Sequence, residues 1–415
     1  MKKTLWYILT SLALVSCNDS ASNEEKTEEA SAKGNECPFV FKEISDTELE
    51  ITGINDSVPG VRFQLRDIVI PDEIEEILAF PDMCVAAENP DIRTLKIVSI
   101  GNNAFKDCES LVNMELPNSV KSIGERAFCL CTSLESVKLP DSLKSIAEGV
   151  FMSCISLESV KLPSSLIKIG EYAFYSCKSL TSIEIPNSVT EIGKGVFEDC
   201  TSLTSIEIPE GVTEIEDGAF YYCFRLESVK LPNSVKEIGK EAFRDCPSLS
   251  YIEIPDSLKS IEEGLFMSCL SLESVELPGS LTKIGEYAFY DCKSLRSIEI
   301  PNSVKAIERG AFSNCTGLES IEIPNSVTEI GEGAFNGCSG LESVEIPSSV
   351  EEIGDGAFEG CERLESIVIP ESVTSIGVSA FELCTKLKSI TIPSGVTVIR
   401  QLTFEDCGCL SNIVI

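Results

Sequence analysis

Cysteine and glutamate are the residues of this 415-residue chain whose type and spacing could support chemistry. Most of the nineteen cysteines recur at a step of 23 residues, from Cys108 to Cys407. Thiolates bind metals, form disulfides and act as nucleophiles, but the chain has no histidine to complete a Cys-His pair or most zinc and copper sites. A glycine-rich phosphate loop is also missing. The sequence therefore predicts a protein that is not an enzyme and that has no metal site and no cofactor.

The regular step argues against disulfides within this cysteine ladder. Equivalent atoms in neighbouring coils of a repeat protein lie about 4.8 Å apart. Parallel side chains at that distance miss the Cβ separation of about 3.5–4.5 Å that a disulfide prefers. Because free cysteine is often buried, we predict reduced, structural thiols. Cys37 and Cys84 lie outside the ladder, and the sequence leaves open whether they form a bridge or remain two free thiols.

A second series with the same step carries carboxylates at an outward strand position. Its longest acidic run consists of Glu253, Glu276, Glu299, Glu322 and Glu345. Tyr251 is the one aromatic residue predicted beside this run. Like charges in direct register cost stability, so we take these six residues as ligand-binding candidates for a basic partner or for calcium. The alternative interpretation is a solvated, solubilising face on which Tyr251 is a tolerated variation.

These residues are positioned by a repeat that runs from about residue 96 to the C-terminus. Phenylalanine precedes each ladder cysteine by three residues, from Phe105 to Phe404. Leu134, Val137 and Leu139 have the spacing of a leucine-rich repeat, and their alternation with polar residues predicts a strand with one buried face. Proline follows and ends the strand. The segment G-x-x-A-F-x-x-C then predicts a short helical turn, with each phenylalanine stacked on its neighbour.

The pattern L-x-S-[IV]-x-[IL]-P-x-S-V-x-x-I-G-x-x-A-F-x-x-C-x-S-L resembles the BspA-type leucine-rich repeat of bacterial surface proteins. The resemblance implies an α/β-type solenoid of about 14 repeats, curved, with a parallel sheet on its concave side and short helical turns on its convex side. It also implies adhesion or contact with hosts or microbes, in which an extracellular protein or glycoprotein binds the concave face. The alternative hypothesis is a structural spacer or envelope scaffold without a specific ligand.

The N-terminal residues predict export and a membrane anchor. Lys2 and Lys3 precede a short apolar run, and the stretch 14–17, Leu-Val-Ser-Cys, resembles a bacterial lipobox. The resemblance implies removal of residues 1–16 and lipidation of Cys17, hence a surface-exposed outer-membrane lipoprotein. The alternative is an ordinary secretory peptide that is cut elsewhere. Residues 17–36 are polar and acidic, which predicts a disordered tether.

The remaining boundaries follow from where the repeat begins. Residues 37–95 are less regular and predict an N-terminal cap with a degenerate first repeat, and residues 96–415 predict the solenoid. The chain ends on a strand without a recognisable cap, so we expect this end to pair with another molecule, in an oligomeric state that the sequence leaves open. A net charge of −34 argues against nucleic acid as a partner, because the phosphate backbone would be repelled.

Overall fold

The structure is a computed structural model that describes residues 39–45, 48–54, 67–70, 73–78 and 91–415. The predicted signal segment, the lipidation site at Cys17, the tether, and the thiols of Cys37 and Cys84 lie outside these residues. The chain forms two compact units, Met1–Ser188 and Val189–Ile415.

Five strands open the first unit: β1 (Phe39–Ser45), β2 (Glu48–Ile54), β3 (Asp67–Val69), β4 (Glu73–Leu78) and β5 (Asp91–Ile100). β1 pairs antiparallel with β2. β5 pairs antiparallel with β4 and parallel with β2. Among the described residues, the antiparallel pairing of β4 with β5 has no equivalent in the later coils. β5 also pairs with the strand Ser122–Ile123, and this pairing joins the N-terminal sheet to the repeats.

Each repeat forms one coil, and its first extended segment is a three-residue strand in most coils. These strands are Asn113–Glu115, Ser136–Lys138, Ser205–Glu207, Ser228–Lys230, Tyr251–Glu253, Ser274–Glu276, Ser320–Glu322, Ser343–Glu345, Ser366–Val368, Ser389–Thr391 and Asn412–Val414. They pair in parallel, each residue with its equivalent one repeat later, as in Ser205 with Ser228. The prediction of a parallel sheet is therefore confirmed within each unit. The middle residue is buried and its neighbours are exposed, apart from the half-exposed Glu115 and the last strand, where all three residues are exposed.

The second extended segment of each coil is a two-residue strand. These strands are Ser122–Ile123, Ser145–Ile146, Lys168–Ile169, Glu191–Ile192, Glu214–Ile215, Glu237–Ile238, Ser260–Ile261, Lys283–Ile284, Ala306–Ile307, Glu329–Ile330, Glu352–Ile353 and Ser375–Ile376. The isoleucine is buried, whereas the residue before it is exposed or half-exposed. The coil turns between the two strands at the proline, whose carbonyl accepts a hydrogen bond from the residue three positions later, as in Val212 to Pro209.

The predicted short helical turns are wrong, because the described residues contain turns at these positions and no helix. Each coil places two residues four positions apart in the left-handed region, for example Glu241 (φ 56°) and Asp245 (φ 55°). A right-handed helix cannot accommodate them. Between them, the backbone N–H of Phe243 donates to the carbonyl of Leu265 in the next coil. Alternate N–H groups thus bond between coils rather than to the residue four positions earlier. The fold is a leucine-rich-repeat solenoid of about 14 turns with parallel strands.

Phenylalanine and cysteine fill the interior of each unit. Neighbouring rings stack nearly parallel, with centroids 5.2 Å apart for Phe105 and Phe128 and 5.3 Å apart for Phe289 and Phe312. The rings from Phe105 to Phe358 are completely buried. Each aromatic ring removes a large apolar area from water, so these stacks are the main hydrophobic support of the coils.

Candidate binding surface

The outward side chains of the three-residue strands, with the equivalent positions of the other coils, form what we call the strand face. Tyr251 opens its strand and is 46% exposed, between Ser228 and Ser274 in the paired strands. The predicted acidic row lies two residues later in five consecutive coils, from Glu253 to Glu345. The structure therefore places all six candidate residues on one face of the second unit.

The five glutamates stand next to one another in consecutive coils. Glu253 is the direct Cα partner of Glu276, and Glu322 is the direct partner of Glu345. A backbone bridge joins Glu299 to Glu322, and Glu276 and Glu299 line one open depression of about 610 Å³. Neighbouring strands lie about 4.8 Å apart. All five side chains are exposed, so the predicted register of carboxylates is confirmed.

The acidic row differs from its neighbours in having no internal counter-charge. Lys230 pairs with Glu207, and Lys138 pairs with Glu115, both at the same strand-face position in neighbouring coils. Among the described residues, none of the five row carboxylates forms an ion pair. Arg363 pairs with Glu342 at 3.1 Å, but both residues precede the strands of their coils and lie outside the strand face. The row is thus a surface of uncompensated negative charge.

Shorter acidic pairs also occur on the two-residue strands, where Glu214 pairs in register with Glu237 and Glu329 with Glu352. The strand-face row is distinguished by its length and by the exposed tyrosine beside its first member. In the described part of the chain, no three carboxylates, thiols or imidazoles converge closely enough to hold a metal ion. The chemistry of the row is therefore that of a long cation-attracting strip.

The cysteine ladder is structural, as predicted. From Cys108 to Cys384 the ladder thiols are buried and form no disulfide, and Cys407 is half-buried. The Sγ of Cys292 donates to the carbonyl oxygen of Phe266 in the preceding coil, at 3.1 Å. Burial raises the pKa of Cys338 to about 12. These thiols therefore stay protonated at neutral pH and are poor nucleophiles or metal ligands.

Sequence reasoning missed the role of the serine that lies two positions after the strand proline in most coils. The hydroxyl of Ser234 donates to the carbonyl oxygen of Val212 in the preceding coil, at 2.7 Å, and Ser349 makes the same bond to Val327, at 2.6 Å. Serine recurs at this position in every coil except those of Gly211 and Gly395. This recurrence is the signal in the sequence, because a turn alone accepts several residue types.

Sequence reasoning also gave no functional role to the aromatic residues next to the ladder. Tyr222 lies in a turn and is 37% exposed. Its ring stacks on Tyr221, and Arg244 lies over the Tyr221 ring. The sequence indicates this cluster through the segment Tyr-Tyr-Cys-Phe-Arg at 221–225. At several of these positions the other repeats have small or polar residues.

The described residues contain no helix long and apolar enough to cross a membrane.

Comparisons with known proteins agree with this architecture. The profile of the BspA type leucine rich repeat region matches six copies, in residues 98–226, 213–342 and 305–415. A leucine-rich repeat protein of Bacteroides ovatus is 29% identical and has a TM-score of 0.72, over 92% of this chain and 100% of that chain. A leucine-rich cell surface protein of Faecalibacterium prausnitzii is also 29% identical, with a TM-score of 0.52, over 94% of this chain and 96% of that one.

A search of curated protein sequences finds no match. Proteins with the BspA-type repeat are generally surface or adhesion proteins, and leucine-rich-repeat proteins generally act as non-enzymatic scaffolds that bind other proteins. The family profile matches segments that together extend from residue 98 to the C-terminus. On this evidence the chain belongs to the BspA-type leucine-rich-repeat family.

Proposed function

We propose that this protein is a lipid-anchored cell-envelope protein that binds an extracellular protein or glycoprotein through its strand face. The observation that carries the proposal is the run of five exposed, unpaired glutamates from Glu253 to Glu345. Like charges in register destabilise a sheet, so a row of this length is a cost to the isolated protein. A basic partner would offset that cost on binding.

The chemistry of the row defines the partner. Exposed carboxylates about 4.8 Å apart attract a segment that presents several lysines or arginines. Each contact is weak because it is exposed, but several act together along the strip. Tyr251 adds a half-exposed ring beside Glu253, on which an apolar or cationic side chain can pack. Binding of this kind is sensitive to salt.

A structural spacer or scaffold is the second candidate. It is favoured by the composition of the strand face, which is mostly serine and charged residues with Tyr251 as its large aromatic. Such a face can serve solubility alone. The two hypotheses differ in whether the strand face has any ligand.

The first experiment measures binding of the full-length chain to three peptides of equal length and apolar content, with net charges of about +4, 0 and −4. The proposal predicts saturable binding of the basic peptide at low salt and weaker binding of the other two. Equal binding of all three peptides, or no binding of any, would favour the spacer.

The anchor is tested in cells. Lipidation at Cys17 predicts that the chain fractionates with membranes and that Cys17→Ser releases it. Protease treatment of intact cells should remove the repeats if they face outward. Digestion that occurs only after lysis would place them inside the envelope and would favour a scaffold role.

A further inference from the structure

One coil of the second unit carries an aromatic cluster on the turn segments, the part of each coil between the two-residue strand and the next three-residue strand. The rings of Tyr221 and Tyr222 stack with their centroids 4.1 Å apart. Phe224 meets Tyr222 edge-on at 5.7 Å. The guanidinium carbon of Arg244 lies 5.2 Å from the centroid of Tyr221. Three aromatic rings and an arginine of the next coil thus form one packed group.

The cluster continues into an exposed apolar stripe. Phe224, Pro247 and Leu270 are each the residue after the ladder cysteine, in three consecutive coils. Phe224 is 44% exposed and Leu270 is 37% exposed. The coils on either side hold Thr201 and Lys293 at this position. The stripe therefore has two polar ends and spans only three coils.

The fold itself does not require these residues. Tyr222 occupies the left-handed region with φ of 61°, where the adjacent coils have Asp199 and Asp245. A bulky aromatic residue is strained there, whereas aspartate tolerates this conformation better. Leu130 and Leu383 occupy the same position in other coils, so the backbone conformation belongs to the fold and the aromatic side chains distinguish this coil.

The charges beside the stripe are of two kinds. Arg244 is fixed by Glu241, at 2.5 Å, and by Asp245, at 3.3 Å. Arg225 is exposed and forms no ion pair with any residue in the described ranges. At its position the adjacent coils have Ser202 and Ser248. In a chain with a net charge of −34, an unpaired cation next to exposed apolar side chains is a distinctive feature.

We propose that Tyr222, Phe224, Pro247 and Leu270, with Arg225, form a second docking surface, for a polypeptide segment that presents an apolar side chain next to an acidic one. The apolar side chain packs on the stripe, and the carboxylate accepts hydrogen bonds from the Arg225 guanidinium. Tyrosine and arginine are the residue types most enriched at the centres of protein interfaces. An acidic ligand is the opposite of the basic one proposed for the strand face, so the two proposals are independent.

The test selects peptides from a random phage-displayed library on the full-length chain. Counter-selection uses the triple variant Tyr222→Asp/Phe224→Thr/Arg225→Ser, which gives this coil the residues that the preceding coil has at 199, 201 and 202. The variant is therefore expected to fold normally. Selected peptides should contain an aromatic or aliphatic residue close to Asp or Glu. They should bind the triple variant at least about tenfold more weakly than the wild type.

A second variant separates charge from packing. Arg225→Glu retains the stripe, so it should weaken the binding of the acidic peptides. It should restore the binding of peptides in which lysine replaces the acidic residue. A lack of enriched peptides, or peptides that bind wild type and triple variant equally, would overturn the proposal. In a parallel experiment, the wild type and the triple variant would be applied to a glycan array. If the wild type binds glycans, the triple variant does not, and no peptide is selected, the surface binds sugars and the proposal is overturned.

Discussion

Two segments of the chain share an interior but differ at the surface. Residues 151–189 and 266–304 are nearly identical, with the same phenylalanine, cysteine and inward aliphatic residues. They differ mainly at outward positions, where Lys161 corresponds to Glu276 and Thr181 to Arg296. Both segments have the same tyrosine pair in edge contact, at 6.1 Å for Tyr172 and Tyr175 and 6.0 Å for Tyr287 and Tyr290.

The comparison separates the residues that specify the fold from those available for binding. A phenylalanine or a ladder cysteine meets its equivalents in the neighbouring coils, so a change there affects three coils at once. An outward residue such as Lys161 can change without moving the backbone. Surface chemistry has therefore diverged between two copies whose interior stayed constant.

The largest effect of a single substitution on stability is expected from the phenylalanine stack. Phe312 is completely buried between Phe289 and Phe335, at 5.3 Å and 5.5 Å. Phe312→Ala leaves a cavity and should lower the free energy of unfolding by about 3–5 kcal/mol. Guanidinium unfolding followed by circular dichroism measures this. The matched control is Phe404→Ala, because Phe404 is only half-buried; an equal loss at both positions would contradict the account.

Alkaline pH should destabilise the interior through the thiols. Burial raises the pKa of Cys292, whereas in the unfolded chain a thiol ionises near pH 8.5. The unfolded state therefore binds fewer protons above that pH, and stability falls by about 1.4 kcal/mol per pH unit for each buried thiol. The effect is absent below the unfolded pKa. Unfolding midpoints at pH 7.5 and 9.5 test this. Cys292→Ala should reduce the fall in the free energy of unfolding with pH by the contribution of one thiol.

The serine ladder should make a smaller contribution. Ser234→Ala removes the hydroxyl that donates to the Val212 carbonyl and should cost about 1 kcal/mol. The control is Ser228→Ala, because Ser228 is exposed on the strand face. If both variants unfold at the same denaturant concentration, the serine bonds between coils do not stabilise the protein.

The smallest effect on stability is expected at the acidic row, and it has the opposite sign. Glu299→Gln removes one of five like charges in register and should raise the free energy of unfolding by about 0.2–1 kcal/mol at low salt. The gain should disappear near 1 M salt, where the Debye length is about 3 Å. Glu207→Gln is the control, because it removes the partner of Lys230. It should not raise the free energy of unfolding.

The sequence predicted those parts of the fold that the constant step determines. A step of 23 residues places equivalent residues in register, so the parallel strands, the stacked rings, the buried thiols and the adjacent glutamates all follow from it. The helical turn was wrong because the prediction gave too little weight to glycine. Gly149, Gly195 and Gly218 lie at the first left-handed position, and glycine at a regular position before a short apolar pair indicates positive φ rather than helix.

Other features depend on contacts that the repeat pattern does not contain. The antiparallel pairing of β4 with β5 has no equivalent in the other described coils, so the repeat pattern does not predict it. The contact of Arg244 with Tyr221 depends on side-chain direction in two coils, and the lack of a partner for Arg225 becomes visible only when its neighbours are placed. Irregular residues of this kind break the repeat, which is why their positions could be found but their contacts could not.

The central claim is that the acidic row of the strand face binds a cationic partner. The most direct test compares Glu276→Lys/Glu299→Lys/Glu322→Lys with Glu237→Lys/Glu329→Lys/Glu352→Lys, which makes the same change in net charge on the two-residue strands. Dissociation constants for the basic peptide would be measured from about 0.05 to 0.5 M salt. The account predicts that the first variant binds at least about tenfold more weakly at low salt, while the second stays close to the wild type. Equal losses in both variants would mean that net charge alone attracts the peptide, and would contradict a specific site on the strand face.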